Sequence, residues 1–446
     1  MAKEPIGMTR RIAKFIVETK KSDIPAPVYE HAKIAFMDWL GVTLAGKDEL
    51  LVKMLIRYTD VMGGNPQATV IGHNVKKSLA QAALINGSAS HALDYDDTIL
   101  AFLGHPSVTL FPGLLALGEW EGKTGEDFLT SYIIGLKAGV TIASCAGGEH
   151  YIAGWHGTST MGHLSAAAAC SRFLGLDEQQ TVNALGIAGT QACGLKKVFG
   201  TMCKPFHAGR ASEVGIMAAL LALEGFTSAD DILEGAAGLF QAMKGTVNEI
   251  VLANLGKTWD IEDIAQKYHA SCHATHSPIE AARSIVRKER LAIGDIKSIK
   301  VHSSEVALGA AYRTDANTGL EGKFCIPYCV ANALLRANTG MQAFTDEKVR
   351  DSEVKALMSK ISLVKDNEIL LLSSKVEVDT NDGRSFSAFC DVMQEIPPLD
   401  EKREKIKSKF LDLAGAVLGD AKAEKLIDEI LSLEKMKNMN ELVATF

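Results

Sequence analysis

Along the first 265 positions, apolar residues recur at the three-to-four spacing of buried helices. In the segment 28–45, Val28, Ala32, Ala35, Phe36, Trp39 and Leu40 share one helical stripe, and Gly46 can end it. Segments 78–93, 125–143, 162–174, 178–188 and 209–224 repeat the style. Several of them, such as HLSAAAACSRFLG and GIMAALLALEGF, are small or apolar on every side. A helix without a polar face has no surface to show water, so these predict close packing deep in a bundle.

The period changes after residue 265. KSIKVHSSEVAL contains an alternating, strand-like stretch. LLLSSKVEVDT and SFSAFCDVM flank Asn381-Asp382-Gly383, and Asp-Gly between alternating runs predicts a hairpin. Residues 327–335 read as a helix between these strands. Beyond Pro397-Pro398 the amphipathic helical pattern returns and can pack back on the first bundle. The fold class expected is mainly α: a large all-α helical domain (1–264 and 397–446) with a smaller α/β domain (265–396) inserted before the C-terminal helices.

Composition narrows the function. A chain of 446 residues with 47% apolar and 23% charged residues can bury a large interior and suits two domains. The net charge of −7 argues against a nucleic-acid surface. It would also repel an anionic substrate, so a site for one must gather its own positive charge. The N-terminal MAKEPIGMTRRIAKFIVETKK lacks the apolar core of a signal peptide, and no stretch reads as a membrane span. Eight scattered cysteines without a CxxC pair fit buried thiols in a reducing compartment, and the cytoplasm is the expected location.

GxGxxG, Walker A, HExxH and nucleophile-elbow motifs are all missing. Four polar clusters in apolar surroundings stand out instead. In NGSASHALDYDDTILAFLGHPS, Asp94, Asp97 and Thr98 would share a face at a helix end, followed by the turn Gly104-His105-Pro106. An acidic trio can hold Mg²⁺, but no second acidic motif partners it; a hydrogen-bond network that positions the next loop competes evenly with direct contact. In GEHYIAGWHGTSTMGH, His156 and Thr158 lie in a Gly-rich loop ahead of an Ala-rich helix, where free N–H groups can meet an anion. A histidine beside a tryptophan is more often packing, and the loop raises His156 above that base rate. In FGTMCKPFHAGRAS, Lys204 precedes Pro205, which biases it away from helix and onto a loop. Its neighbours Phe199, Met202 and Phe206 are apolar, which weakens the reading of a solvated lysine, and His207 can cap or line the same site.

The fourth cluster, KYHASCHATHSPIEAA, carries Lys267, His269, Cys272, His273 and His276. On a helix the last four would form a row about 10 Å long, too extended to wrap one ion. No second ligand pair accompanies it, so metal binding is not expected. A cationic, imidazole-lined segment at a domain junction is the favoured reading.

Taken together and in this order, HALDYDDT with its GHPS turn, GWHGTSTMG, KPFHAGRAS and the lysine–cysteine–histidine run resemble the MmgE/PrpD family. That family includes 2-methylcitrate dehydratase, cis-aconitate decarboxylase and iminodisuccinate epimerase. The similarity extends from DWLGVTLAG to EGKFCIPYCVANALL, nearly the whole chain. It implies that the α/β domain is a lid, that the protein is a homodimer without metal or organic cofactor, and that the site lies between helical domain and lid. The matching positions are Asp94, Thr98, His105, His156, Lys204 and Lys267. One departure is Cys272 where the decarboxylase pattern has a histidine, with His273 one residue on. The GHPS turn and IAGWH are closer to the epimerase branch, which makes decarboxylation the least favoured of the three activities.

All three reactions pass through a carbanion or enolate beside a carboxylate. The expected machinery is His105 as principal acid/base, since imidazole titrates near neutral pH. Lys204 and Lys267 would bind carboxylates, His156 would assist proton transfer or hold a leaving hydroxyl, Asp94 would orient His105 or a substrate hydroxyl, and Thr98 would donate a hydrogen bond. His207, His273 and His276 complete the expected substrate-binding set. The activity expected is dehydration of a small hydroxy di- or tricarboxylate such as 2-methylcitrate. Epimerisation of a dicarboxylate is the same-fold alternative, and a non-catalytic carboxylate-binding protein is the alternative from another class.

Overall fold

The computed structural model describes residues 7–394 and 396–446. The start of the N-terminal segment read above for a signal peptide, residues 1–6, lies outside them. Nine helices build the first part: α1 (Met8–Glu18), α2 (Ala26–Gly46), α3 (Leu50–Met62), α4 (Leu79–Ala92), α5 (Ser107–Glu121), α6 (Gly125–Ile152), α7 (Gly157–Leu174), α8 (Glu178–Gln191) and α9 (Cys203–Leu223). Local chemistry explains several ends. Ser78 and Gln81 form a capping box at the start of α4, and Asp177 and Gln180 form one at α8. Helix α6 continues past the expected 143 to Ile152 because Gly147 absorbs a kink at φ 69°, a conformation open to glycine.

The small residues noted in the sequence sit where helices cross. A Cβ on Gly209 of α9 would lie 2.1 Å from the Leu84 carbonyl oxygen of α4, so the two backbones touch with no room for a side chain. Around this contact, Phe36, Trp39, Phe111 and Phe128 stack at centroid distances of 5.1–5.6 Å. Burying each such ring stabilises the fold by roughly 1.5–3 kcal/mol before the entropic cost. The same core takes in Ile406, Phe410 and Leu426 from helices Leu399–Leu418 and Asp420–Leu431, so the C-terminal helices do return to the first bundle.

Two two-residue strands, β1 (Ala68–Thr69) and β2 (Lys76–Lys77), form a small ribbon. The main sheet has the order β4-β3-β5-β6, with β3 (Ile296–Ser303), β4 (Ile361–Lys365), β5 (Ser374–Thr380) and β6 (Ser385–Cys390). β3 and β4 run parallel; the other pairs are antiparallel, and β5–β6 is the hairpin expected around Asp382-Gly383. Helices His276–Glu289 and Ile326–Arg336 pack beside this sheet around Ile299, Val301, Val330 and Val376. The molecule is therefore mainly helical with a small mixed sheet inserted before its last helices.

One sequence expectation needs correcting. The helix α6 is long and apolar enough, by length and composition, to cross a membrane. In the fold 94% of its most apolar window is buried against other helices, because its small residues serve packing.

Candidate active site

The site begins where α4 ends. Asp94 adopts a left-handed backbone (φ 51°), which turns the chain and separates Asp94, Asp97 and Thr98. The three do not share a helix face as expected, because α4 stops at Ala92. Asp94 instead meets two lysines: Lys204 Nζ donates to its Oδ2 at 2.9 Å, and Lys267 Nζ donates to its Oδ1 at 2.5 Å and to its carbonyl oxygen at 2.9 Å. All three residues are buried. Burial alone would raise the Asp94 carboxyl, but the two ammonium groups prevail and hold it well below the usual carboxylate range.

Asp96 organises the imidazoles. Both of its oxygens accept from His91 Nδ1 at 2.9 Å, and its Oδ2 lies 2.8 Å from His105 Nδ1, with that N–H aimed off the oxygen. A carboxylate at these distances needs a proton on each Nδ1. The tautomer follows: His91 Nε2 accepts from Lys204 Nζ at 3.0 Å, and His105 Nε2 keeps its lone pair. Burial lowers His105 to about 3, opposed by Asp96 and assisted by Lys267, His91 and Lys204. The imidazole expected to titrate near neutrality is thus kept neutral there, chiefly by burial and further by the nearby Lys267 and Lys204.

His156 caps α7 through its backbone, and its Nδ1 lies 3.0 Å from His207 Nδ1. Burial, with Lys204 and His207 next, keeps His156 well below the usual imidazole range. The start of α7 packs on the turn that carries His105. A Cβ on Gly104 would sit 2.5 Å from the Thr158 nitrogen, and one on Gly157 would sit 2.6 Å from the Phe102 oxygen. Thr158 Oγ1 accepts from the His105 backbone N–H at 3.1 Å, so these glycines fix the distance between the two histidine-bearing segments.

A cavity of about 70 Å³ lies over this cluster. Thr98, His105, Tyr151, His156 and Lys204 line it from the helical side, and Cys272, His273, Val306 and Leu372 from the side of the sheet. Thr98 Oγ1 and His273 Nδ1 are 2.5 Å apart across that seam. The position of Cys272, a departure in the sequence, and the neighbouring His273 both reach the cavity. Burial pushes the Cys272 thiol up, so it stays protonated.

Other expected residues stand elsewhere. Lys204 is not on a loop but in the first turn of α9, where Pro205 costs no hydrogen bond because first-turn N–H groups have no partner inside the helix. Lys267 is fully enclosed behind Asp94. His207 backs His156 and does not line the cavity, and His276 stacks between His269 and His273 in a separate cavity. The sequence reading passed over His91, Asp96 and Tyr151. Asp96 lies within HALDYDDT, where helical spacing picks out its neighbours, and His91 is one of several polar residues of α4, with no local spacing to set it apart.

The oxygens and nitrogens of His91, Asp94, Asp96 and His105 lie within 4.8 Å of one another, a grouping compact enough for a metal ion. Two of its four members are already engaged by cations: the Lys204 ammonium bridges His91 and Asp94, and Lys267 takes the other Asp94 oxygen. A metal would have to displace one of these cations, so the donor set fits ammonium groups better.

Two family models together match most of the chain. The MmgE/PrpD N-terminal domain matches residues 10–249, and the MmgE/PrpD C-terminal domain matches residues 269–435. The chain is 28% identical to the cis-aconitate decarboxylase-like protein oryM of Aspergillus oryzae, over 98% of this chain and 97% of that one. It is 27% identical to a cis-aconitate decarboxylase of Aspergillus terreus, over 98% and 95%. With a probable 2-methylcitrate dehydratase of Saccharomyces cerevisiae it shares 24% identity over 82% and 75%.

Proposed function

The chain belongs to the MmgE/PrpD family, and from that premise we propose that it is a hydro-lyase that dehydrates a small hydroxy di- or tricarboxylate such as 2-methylcitrate. The observation that carries this reading is the His105 imidazole, which lines the cavity, is kept neutral chiefly by burial, and has its Nδ1 2.8 Å from Asp96 Oδ2 and its Nε2 3.8 Å from Asp94 Oδ1. Dehydration begins by taking a proton, which needs a base. His105 Nε2 removes the proton from the carbon next to a substrate carboxylate, and the electron pair moves into that carboxylate beside the Lys204 ammonium. The pair then returns to form the alkene and expels the β-hydroxyl. The His105 imidazolium gives its proton to that oxygen, water leaves, and the base is restored. His156, next to Lys204 in the lining, is placed to hold the departing hydroxyl.

Decarboxylation of the cis-aconitate type is the second reading, and the decarboxylase relatives favour it. It asks the opposite of His105: a protonated imidazole that quenches a carbanion after carbon dioxide has left. Epimerisation would use the same base but return the proton to the other face. Incubation of the protein with a panel of hydroxy and unsaturated polycarboxylates in heavy water, followed by proton NMR, separates them. A new alkene signal with water loss is expected. Carbon dioxide release points to the decarboxylase, and deuterium exchange without elimination points to the epimerase. Neither turnover nor exchange across the panel would remove the catalytic reading.

The protonation state gives a pH prediction. A base works only when deprotonated, so its activity is lost as pH falls through its pKa, and a pKa near 3 moves that loss far into acid. With a substrate fully ionised above pH 6, kcat/KM is expected to show no acid limb near pH 6.5. A limb with that midpoint, absent from a His105 variant's residual activity, would show that His105 titrates as an ordinary imidazole.

A further inference from the structure

The last turn of α6, beyond the kink at Gly147, carries Tyr151, which lines the reaction cavity and has no part in the reaction described above. Tyr151 is 8% exposed, and its hydroxyl makes no hydrogen bond to any described residue. That oxygen is not among the partnerless polar atoms sealed inside the fold, so it keeps accessible surface. Burial pushes the phenol above its ordinary range, and Cys272 and Asp94 act in the same direction. Cys272 lines the same cavity, so the hydroxyl faces inward, protonated and free to donate.

Lys196 stands over this ring. Its ammonium lies 3.8 Å from the Tyr151 centroid, on a short turn (Lys196–Val198) between α8 and α9. The backbone keeps it there. The Lys196 N–H donates to the Gly154 oxygen at 2.9 Å, Trp155 and Leu195 form a bridge, and the His156 N–H donates to the Gly194 oxygen at 3.0 Å. Lys196 does not line the cavity itself, and its ammonium has no ion pair or hydrogen bond among the described residues. Burial lowers the ammonium with no carboxylate to oppose the effect, so the ring face is its partner. A cation in that position also draws charge from the ring and makes the phenol O–H a stronger donor. The substrate proposed above needs such a donor. A di- or tricarboxylate brings at least two anionic groups, and the lining offers one ammonium, Lys204, which Asp94 and His91 already hold. A hydrogen bond to a charged oxygen is stronger than one between neutral groups, so a free hydroxyl suits the second carboxylate. We infer that Lys196 is a positioning residue of the active site: stacked on Tyr151, it holds that hydroxyl in the cavity as the donor to a second substrate carboxylate.

The inference rests on the polycarboxylate reading, and a dicarboxylate that cannot be dehydrated separates the two. Succinate has no hydroxyl to lose, and calorimetric titration of the full-length protein gives its Kd for each variant. Tyr151→Phe should weaken succinate by about tenfold. Lys196→Met should weaken it by about threefold. Lys196→Arg should stay near wild type, because a guanidinium also stacks on an aromatic face. In the Tyr151→Phe background, Lys196→Met should change nothing further, since the hydroxyl it positions is gone. Butyrate has a methyl where succinate has its second carboxylate, and all these variants should bind it as wild type does. Succinate binding unchanged by Lys196→Met would overturn the positioning role. So would the same loss in both Tyr151 backgrounds, which is what a charge acting at long range gives. A wild type that does not bind succinate would overturn it as well. The expected succinate series without water loss from any hydroxy polycarboxylate would instead remove the dehydratase and leave the role of Lys196 standing.

Discussion

Replacing His105 with Ala is expected to lower kcat/KM by about 10²–10⁴-fold, the range that a positioned acid/base contributes. The residue is buried and makes its closest charge contact with Asp96, so its removal takes away the imidazole while Lys204 and His156 still line the cavity. Substrate binding should therefore change much less than kcat. Asp96→Asn tests the same arrangement from behind. It leaves the ring in place but removes the negative charge that requires a proton on Nδ1 of both His105 and His91. Its kcat should fall as well, with KM nearly unchanged, because the lone pair no longer points reliably at the cavity. Full turnover by His105→Ala on the true substrate would remove the proposed base, and Asp96→Asn with normal kcat would remove its positioning.

The second large effect concerns stability. Asp94→Ala leaves the Lys204 and Lys267 ammonium groups buried without the carboxylate between them. Breaking a buried pair by removal of one partner costs about 3–5 kcal/mol, since the orphaned charge cannot recover its hydration. Chemical denaturation should show a loss of that order. The sign with pH follows from the depressed carboxyl: Asp94 contributes stability above its unfolded pKa and loses it as pH falls through its lower folded value. The gap between wild type and variant should hold between pH 5 and 8 and close only below the ordinary carboxylate range. Lys267→Met added to Asp94→Ala should cost less than the two changes measured separately, because one unpaired charge is then gone. A gap below about 1 kcal/mol would mean that water reaches the cluster and screens it.

Much of the architecture was legible in the chain. The run from Val28 to Leu40 predicted α2, which extends from Ala26 to Gly46, and the Asp382-Gly383 turn predicted the β5–β6 hairpin. These features are local, since each follows from a repeat of side chains within one element. The four polar clusters were legible too, because charged and imidazole groups in apolar surroundings need a partner wherever they end up. Their partners were not. Helical spacing grouped Asp94 with Asp97, yet Asp97 bonds Ser107, and burial raises its carboxyl to about 8, with Asp38 and Asp96 pushing the same way against Ser107. Pro205 argued for a loop at Lys204, but the bonds from Lys204 to Asp94 and His91, more than 100 positions away in sequence, hold it in a helix.

The sequence by itself determined the family, the helical majority, the late sheet and the residue types of the site. All of these rest on short-range periodicity or on motifs read in order. Only the tertiary structure decided that Asp96 and not Asp94 supports His105, that Lys267 serves Asp94 from behind, and that His276 belongs to a neighbouring cavity. It also decided that the His105 imidazole is kept neutral. Protonation depends on burial and on charges brought within a few ångströms by different segments, and no spacing along one segment contains that distance.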